Sequence, residues 1–304
     1  MNQKLVHLLG VPSDFGANIQ GACMGPAAIR IAGLKQKIEK LGYSASDLGD
    51  IKVPIRDTLT EEAAQDKYLK PIVEICQSIS KVFLASLKMD ALPILLGGDH
   101  SLAIGSVSGS SKYFSQKKQK MGLIWVDAHA DMNTPQSSPS LNIHGMPLSV
   151  LLGDGHPDLC SIGIPGPKID PANVVLIGVR TLDDFEKEIV RKSGIACYTM
   201  RNIDEKGVFH IMEQAIKIAS NGTAGIHLSF DVDSIDPMYA PGVSTPVSGG
   251  LNFREAHLLL EMLYETGKLC SMDFVELNPL KDVDSKACLL TIDLILSALG
   301  KSIV

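Results

Sequence analysis

The sequence predicts an α/β protein: a single-domain, three-layer α/β/α sandwich around a mainly parallel sheet of about eight strands. Apolar runs of strand length alternate with segments of helical period along the whole chain. The run at 174–179 is apolar on both faces, which is typical of a parallel strand covered by helices on each side. Acidic and histidine side chains follow several of these runs, at the strand ends where open α/β sheets bind ligands.

The candidate strands are short apolar runs separated by turn-forming residues. They cover 4–10, 43–48, 92–97, 121–127, 173–179, 194–199, 224–231 and 269–276. The candidate helices lie between them and cover 26–41, 60–89, 101–118, 144–153, 183–193, 204–220, 252–267 and 284–299. No repeat or linker divides the chain, so we expect one domain over residues 1–304. The loops 128–142 and 234–250 follow strand ends and are expected to wall a site.

The composition excludes several classes of protein. The chain has 304 residues, of which 45% are hydrophobic and 20% charged, and its formal net charge is −6 without a basic block. A nucleic-acid partner is therefore not expected, because it needs a clustered cationic face. Six cysteines without a C-x-x-C pair predict free thiols. Segment 1–10 lacks the features of a signal peptide, and no apolar run approaches the roughly 20 residues of a membrane span, so we expect a cytoplasmic protein without membrane contact.

Acidic and histidine side chains follow three of the predicted strands. In segment 127–131 they occupy every second position, and 231–233 repeats this spacing, so in an extended chain each set lies on one face. Buried carboxylates at a strand end are costly unless something neutralises them, and divalent metal would do so. A lone histidine or D-x-D is more often a loop or turn feature, but three such clusters at comparable positions favour metal. The candidate ligands are His100, Asp127, His129, Asp131, Asp231 and Asp233.

Six ligands exceed the number that one ion needs, so two ions sharing carboxylates are expected. The set contains oxygen and imidazole ligands without a thiolate, which favours Mn²⁺, with Co²⁺, iron or magnesium as alternatives; zinc is not excluded. Asp99 is expected to orient His100 or to cap the following helix rather than to bind metal.

The motifs resemble those of the ureohydrolase superfamily, which includes arginases, agmatinases and formiminoglutamases. They are Gly-Gly-Asp-His-Ser at 97–101, Asp-Ala-His-Ala-Asp at 127–131 and Ser-Phe-Asp-Val-Asp at 229–233. The resemblance runs from Gly25-Pro26 to 276–279 and implies the arginase-like fold. It also implies one ion held by His100, Asp127, Asp131 and Asp231 and a second held by Asp127, His129, Asp231 and Asp233.

Segment 133–147 resembles the substrate loop of arginases. In that loop three polar side chains bind the α-carboxylate of an amino acid, and the matching residues here are Asn133, Ser140 and Asn142. Neutral donors can orient a carboxylate without adding cations beside the metals. Agmatine has no α-carboxylate, so this loop favours an arginase. The alternative for both asparagines is a turn.

The segment that begins at Arg180 resembles the part of arginases that receives the α-amino group. Asp183 would bind the ammonium and Glu186 would support it; a helix N-cap and a solvated helix face are their alternatives. Thr245 and Glu276 match positions near the guanidinium, for which a carboxylate is a suitable partner.

The resemblance to the arginase branch implies hydrolysis of L-arginine to L-ornithine and urea, by attack of a metal-bridging hydroxide on the guanidinium carbon. His144 is the expected proton shuttle to the departing amine, with a turn residue as its alternative, and Asp131 and Glu276 complete the catalytic set. An agmatinase, guanidinobutyrase or formiminoglutamase with the same metal centre is the alternative enzyme. A non-catalytic amino-acid sensor is the alternative of another class, and it should have lost ligands.

The chain departs from the arginase pattern at the outer rim of the site. Ile19 and Gln20 stand where basic residues are common, Cys23 where an acid is common, and Leu141 and Ser244 where glycine is usual. Arg254-Glu255 lies where arginases place an inter-subunit charge network. We therefore expect a homotrimer or a homohexamer.

Overall fold

The computed structural model describes residues 4–302 of the predicted domain 1–304. Residues 1–3, the start of the segment inspected for a signal peptide, and residues 303–304 lie outside the described residues. All eight predicted strands are present. They are β1 (Leu5–Gly10), β2 (Ser44–Asp50), β3 (Leu92–Leu96), β4 (Lys120–Val126), β5 (Val174–Val179), β6 (Ala196–Thr199), β7 (Thr223–Asp231) and β8 (Leu269–Val275). They form one sheet in the order β2-β1-β3-β8-β7-β4-β5-β6. Each pairing is parallel, which confirms the predicted fold class.

Helices connect the strands. They are α1 (Gly25–Ile31), α2 (Leu34–Lys40), α3 (Glu61–Gln65), α4 (Leu69–Lys88), α5 (Ala103–Gln116), α6 (Pro147–Leu151), α7 (Pro157–Cys160), α8 (Asp184–Ser193), α9 (Met200–Lys206), α10 (Val208–Ala219), α11 (Phe253–Glu265) and α12 (Lys286–Ala298). None of the helices within 4–302 combines the length and apolar character needed to span a bilayer.

Three predicted helices are divided into two. Gly33, with φ of 83°, separates α1 from α2, and Gly207, with φ of 79°, separates α9 from α10. Between α3 and α4 the break falls at Lys67 and Tyr68, which adopt φ of 50° and 55°. Glycine enters this left-handed region without a Cβ clash, whereas a lysine or tyrosine there is unusual. The breaks at Gly33 and Gly207 are explained by the glycines themselves. The break at Lys67 must instead be stabilised by contacts with other parts of the chain.

The sheet is covered on both faces, as the apolar runs predict. Along β3, Ile94 and Leu96 lie in the core that also holds α1, α2 and α10 to α12, whereas Leu95 lies in the core formed with α4. On β4, Val126 faces the first core and Trp125 packs among residues of α5 and α6. Parallel strands buried on two sides hold their carboxyl ends in fixed positions, which is what a multi-residue site requires.

Candidate metal and substrate site

The sheet order brings the predicted metal ligands together. The four central strands are β3, β8, β7 and β4, and parallel pairing places their carboxyl ends at one edge. His100 follows β3, Glu276 follows β8, Asp231 ends β7 and Asp127 follows β4. Side chains that are about 130 positions apart in sequence therefore become neighbours.

The first cluster surrounds the Nδ1 atom of His100. This atom lies 3.2 Å from Asp127 Oδ2, 3.0 Å from Asp131 Oδ2 and 3.1 Å from Asp231 Oδ2. All four side chains are buried. They are the four residues predicted to hold the first ion.

The second cluster surrounds the Nδ1 atom of His129. Asp127 Oδ1 and Asp233 Oδ2 each lie 3.3 Å from it. The two oxygens of Asp127 thus face different clusters, which is the arrangement of a bridging carboxylate. The ligand atoms of His100, Asp127 and Asp231, and likewise those of Asp127, His129 and Asp233, are close enough for each group to hold one ion.

Two observations indicate that this pair of clusters is suited to binding divalent cations. His100 Nδ1 and Asp131 Oδ2 are buried and have no hydrogen-bond partner, although they lie 3.0 Å apart. Buried polar atoms without partners are rare, and atoms that converge on an ion leave this signature. Burial alone would lower the pKa of His129, but the nearby Asp233 and Asp127 raise it to about 12. The clusters therefore attract positive charge strongly.

The backbone at the site is held in uncommon conformations. Asp131 has φ of 53° and Glu276 has φ of 63°, both in the left-handed region that non-glycine residues avoid. At Gly98 a Cβ would lie 1.7 Å from the carbonyl oxygen of Ser13, so only glycine lets this turn pass close enough. Such positions persist where the surrounding structure fixes them, and they concentrate at ligand sites.

Trp125, which lies in the apolar run of β4, contacts two residues of the site. Its Nε1 donates to Asp127 Oδ2 over 3.0 Å, and its ring stacks on His100 with centroids 4.1 Å apart. The indole therefore fixes both the Asp127 carboxylate and the His100 imidazole. Asp99 caps the turn at His100 by accepting from the Ser101 N–H at 2.9 Å, as expected.

A buried polar chain behind His100 also escaped the sequence interpretation. His100 Nε2 contacts Ser229 Oγ at 2.9 Å, Ser229 donates to Asp273 Oδ1 at 2.5 Å, and His227 Nε2 contacts Asp273 Oδ2 at 2.7 Å. With Nε2 engaged by Ser229, the Nδ1 atom is directed to the carboxylates, which is how outer partners orient metal ligands. His227, Ser229 and Asp231 alternate along β7, and this period of two could have revealed the chain.

A cavity of about 290 Å³ opens beside the two clusters. This volume suits a small metabolite rather than a larger ligand. Its lining contains five of the candidate metal ligands, His100, His129, Asp131, Asp231 and Asp233. It also contains His144 and the predicted substrate residues Asn133, Ser140, Asn142, Asp183, Glu186 and Thr245. Glu276 does not border the cavity; it is 1% exposed.

His144 and Glu276 form a pair next to the first cluster. His144 Nδ1 contacts Glu276 Oε1 at 3.0 Å, and the same oxygen accepts from the backbone N–H of His100 at 3.0 Å. Burial would lower the pKa of His144, but the carboxylate of Glu276 raises it to about 9. An imidazole in this environment carries a proton at neutral pH.

The predicted substrate residues are linked by hydrogen bonds. Asn133 Nδ2 donates to Asp183 Oδ2 at 3.1 Å, and the hydroxyl of Ser137, which sequence interpretation missed, donates to Asn133 Oδ1 at 2.9 Å. Asp183 occupies the N-cap position of α8 but its side chain caps nothing there. Glu186 is buried and accepts from the Met132 N–H at 2.9 Å, so it is not a solvated helix residue.

Two of the departures from the arginase pattern, Leu141 and Ser244, adjoin residues that line this cavity. Leu141 has φ of 59°, so it occupies a conformation that favours the usual glycine. Ser244 is buried and accepts from Asn278 Nδ2 at 3.1 Å, whereas Ile19 and Gln20 are exposed. Burial and the neighbouring Asp14 raise the pKa of Cys23 to about 11, which makes it a poor nucleophile.

The fold and the paired clusters define an α/β protein with a candidate two-metal centre at the carboxyl ends of its central strands. The sequence model of the arginase family matches residues 4–300, and the chain belongs to that family. It is 43% identical over 302 residues to an arginase from Bacillus caldovelox, covering 99% of this chain and 100% of that protein.

Solved structures give the same result. The native arginase structure from Bacillus caldovelox superimposes with a TM-score of 0.94, at 43% identity and with 99% and 100% of the two chains covered. The agmatine ureohydrolase of Thermoplasma volcanium has a TM-score of 0.74 at 21% identity, covering 98% of this chain and 89% of that one, which is a likeness of fold alone.

Proposed function

We propose that the protein hydrolyses L-arginine to L-ornithine and urea, with two divalent metal ions per subunit. The observation that carries the proposal is Asp127, whose two oxygens face separate clusters bordering one cavity. Full-length similarity to curated arginases at about 40% identity supports arginine over agmatine, guanidinobutyrate and formiminoglutamate. A non-catalytic role has no support, since all six predicted ligands are retained.

Mn²⁺ is the proposed metal, with Co²⁺ as an alternative, because the ligands are carboxylates and imidazoles. His100, Asp127, Asp131 and Asp231 would hold one ion, and Asp127, His129, Asp231 and Asp233 the other. When bound, the ions supply Lewis acidity and lower the pKa of water to near neutrality. Thr245 Oγ1 donates to Asp233 Oδ2 at 2.8 Å, which orients that carboxylate beside the cavity.

The other lining residues bind the α-amino acid end of the substrate. The α-ammonium pairs with Asp183, supported by Glu186, and the α-carboxylate accepts hydrogen bonds from Asn133, Ser140 and Asn142. Burial raises the pKa of Glu186 to about 7, so this carboxyl responds to a nearby cation. Binding an ammonium frees Asn133 Nδ2 from its present contact with Asp183 and turns it to the carboxylate.

His144 delivers the proton that departing ornithine needs. Its raised pKa keeps it charged at neutral pH, and it borders the cavity in which the guanidinium lies. Glu276 accepts from His144 and from the backbone at His100, so it fixes the shuttle relative to the first cluster and adds negative charge near the guanidinium. Asp131 is included with His144 and Glu276 in the proposed catalytic set because it lines the cavity and its backbone is held in a strained conformation.

The first prediction tests the site directly. Protein loaded with Mn²⁺ should release urea from L-arginine at least about a hundredfold faster than from agmatine. His129→Ala and Asp233→Ala should each reduce this activity more than about a hundredfold and lower the bound metal measured by elemental analysis, because each removes a ligand.

His210→Ala is the matched control, since this exposed histidine on α10 pairs with Glu213 away from the cavity. Full urea release by both ligand variants would refute the assignment. A preference for agmatine would refute the substrate but keep the metal centre.

Three further proposals concern the whole protein. We retain one domain over 1–304, supported by the single sheet, and a cytoplasmic location, supported by six free cysteines. We also retain a homotrimer or homohexamer. Within the chain, Arg254 pairs with Glu261 at 3.2 Å and Glu255 completes a capping box with Asn252. Sedimentation of a monomer alone would refute assembly.

A further inference from the structure

A lysine contacts Asn142, one of the residues that line the candidate substrate cavity. Lys67 lies between α3 and α4, and its ammonium donates to Asn142 Oδ1 at 3.2 Å although the two residues are 75 positions apart. The side chain is partly buried, and within residues 4–302 it has no carboxylate partner. A cation that contacts a lining residue and has no anionic partner is available to an anionic ligand group in the cavity.

The backbone that carries Lys67 is strained and anchored. Lys67 and Tyr68 adopt φ of 50° and 55°, which non-glycine residues avoid. The ring of Tyr68 lies 5.0 Å from that of Phe15 and 4.6 Å from the guanidinium carbon of Arg56, which Asp14 holds at 2.8 Å. Strained positions of this kind persist only where neighbours fix them. The aromatic and ionic contacts therefore hold Lys67 beside Asn142.

The amide of Asn142 links this cation to the predicted carboxylate site. Asn142 lines the cavity, and its Oδ1 is occupied by Lys67, so its Nδ2 donor is left to face another group. The same cavity is lined by the carboxylate of Asp183. The site thus offers both signs of charge at its substrate-binding side, which complements a zwitterionic α-amino acid.

We infer that Lys67 is a specificity-determining residue whose ammonium pairs with the α-carboxylate of the substrate, together with the Asn142 amide. The inference rests on the proposed function: the Lys67 ammonium helps to select arginine over agmatine, which has no α-carboxylate. Because the carboxylate is remote from the guanidinium, losing this pair weakens substrate and transition state equally. KM should rise while kcat stays unchanged.

Three substrates separate the contributions of the charged groups. L-Arginine carries both an α-carboxylate and an α-amine. 5-Guanidinopentanoate keeps only the carboxylate, and agmatine keeps only the amine. Lys67→Met should raise KM about tenfold for L-arginine and 5-guanidinopentanoate; the effect is moderate because the side chain is partly exposed. The same variant should change agmatine turnover less than about twofold. Lys67→Gln keeps a donor for Asn142 but no charge and should behave like Lys67→Met, whereas Lys67→Arg should recover most of the affinity.

Lys70→Met is the matched control, since Lys70 is exposed on α4 and does not line the cavity. Wild-type affinity in Lys67→Gln would show that Lys67 only orients the amide, and an equal rise in KM for agmatine would show a structural effect; either result overturns the inference.

A binding measurement separates this inference from the proposed reaction. Calorimetry with metal-loaded protein should show L-ornithine binding about tenfold more weakly to Lys67→Met than to wild type, with 1,4-diaminobutane unchanged. Failure of wild type to hydrolyse arginine would refute the proposed function while the ornithine titration still decides the role of Lys67. Equal ornithine affinity in both proteins, or none in wild type, would overturn the inference.

Discussion

Several single residues in this protein hold the charged side chains of the candidate metal site close to one another. Asp127 faces two histidines with its two oxygens, Trp125 donates to one of those oxygens, and Ser229 orients His100 from behind. Four carboxylates packed together are costly to bury unless cations accompany them. The surrounding hydrogen bonds therefore hold an arrangement that divalent cations would make favourable.

Leu141 gives a test at the residue scale. Its φ of 59° costs about 1–2 kcal/mol for a non-glycine residue, and its side chain is 47% exposed, so little packing is lost on removing it. Leu141→Gly should stabilise the protein by up to about 1 kcal/mol in denaturant unfolding, after the entropy cost of glycine is subtracted.

Leu141→Val is the comparison and should destabilise by about 1 kcal/mol, because a β-branched residue tolerates this backbone poorly. If Leu141→Gly instead lost more than about 1 kcal/mol, the leucine side chain would be contributing contacts that its exposure does not indicate.

At the scale of elements, the sheet was predictable and the helix breaks were only partly so. Eight apolar runs mark the strands because parallel strands bury both faces. Gly33 and Gly207 are local signals that a period-based assignment passed over. The break at Lys67 has no local signal, since Phe15 and Arg56 fix it from elsewhere in the chain.

The same contrast holds for the site. The clustering of the candidate ligands was predictable because alternate residues in an extended segment share a face, so the spacing of each motif determines its geometry. Trp125 and Lys67 contact His100 and Asn142, which are distant in sequence, so the tertiary fold supplies these partners. Ser137 contacts Asn133 within its own loop, whose conformation the sequence did not predict. Only the alternation along β7 offered a clue to the chain behind His100.

The contact between α4 and α5 gives a test at the element scale. A Cβ at Gly105 would lie 2.7 Å from Ile79 Cβ and 2.8 Å from the carbonyl oxygen of Cys76. Gly105→Ala should destabilise the protein by about 1–2 kcal/mol in urea unfolding, since overpacking outweighs the better helix propensity of alanine.

Ser108→Ala on the same helix is the control and should be neutral or slightly stabilising, because the Ser108 hydroxyl is buried without a hydrogen-bond partner. A Gly105→Ala protein as stable as wild type would mean that α4 and α5 separate without cost.

For the whole molecule, the candidate metal centre joins strands from both halves of the chain. β3 and β4 come from the first half, and β7 and β8 lie between them in the sheet. Ions at this junction would hold the ends of three strands, β3, β4 and β7, together, so metal binding and global stability should be coupled.

Metal removal tests this coupling. Chelation should lower the thermal midpoint by about 5–10 °C in scanning calorimetry, and added Mn²⁺ should restore it, because ligand binding to the folded state stabilises by mass action. The Asp233→Ala protein should respond less to the chelator. An unchanged midpoint in wild type would show that the ions, if bound, contribute nothing to folding.

The sheet order also determines when the protein can fold during synthesis. A nascent chain that ends before residue 223 contains β3 beside β1 and β4 beside β5, but it lacks the two strands that join these halves. Each half then exposes an open strand edge, which is prone to pair with other chains. The ribosome thus releases the centre of the sheet last, so folding of this protein is expected to finish only after translation has passed β8.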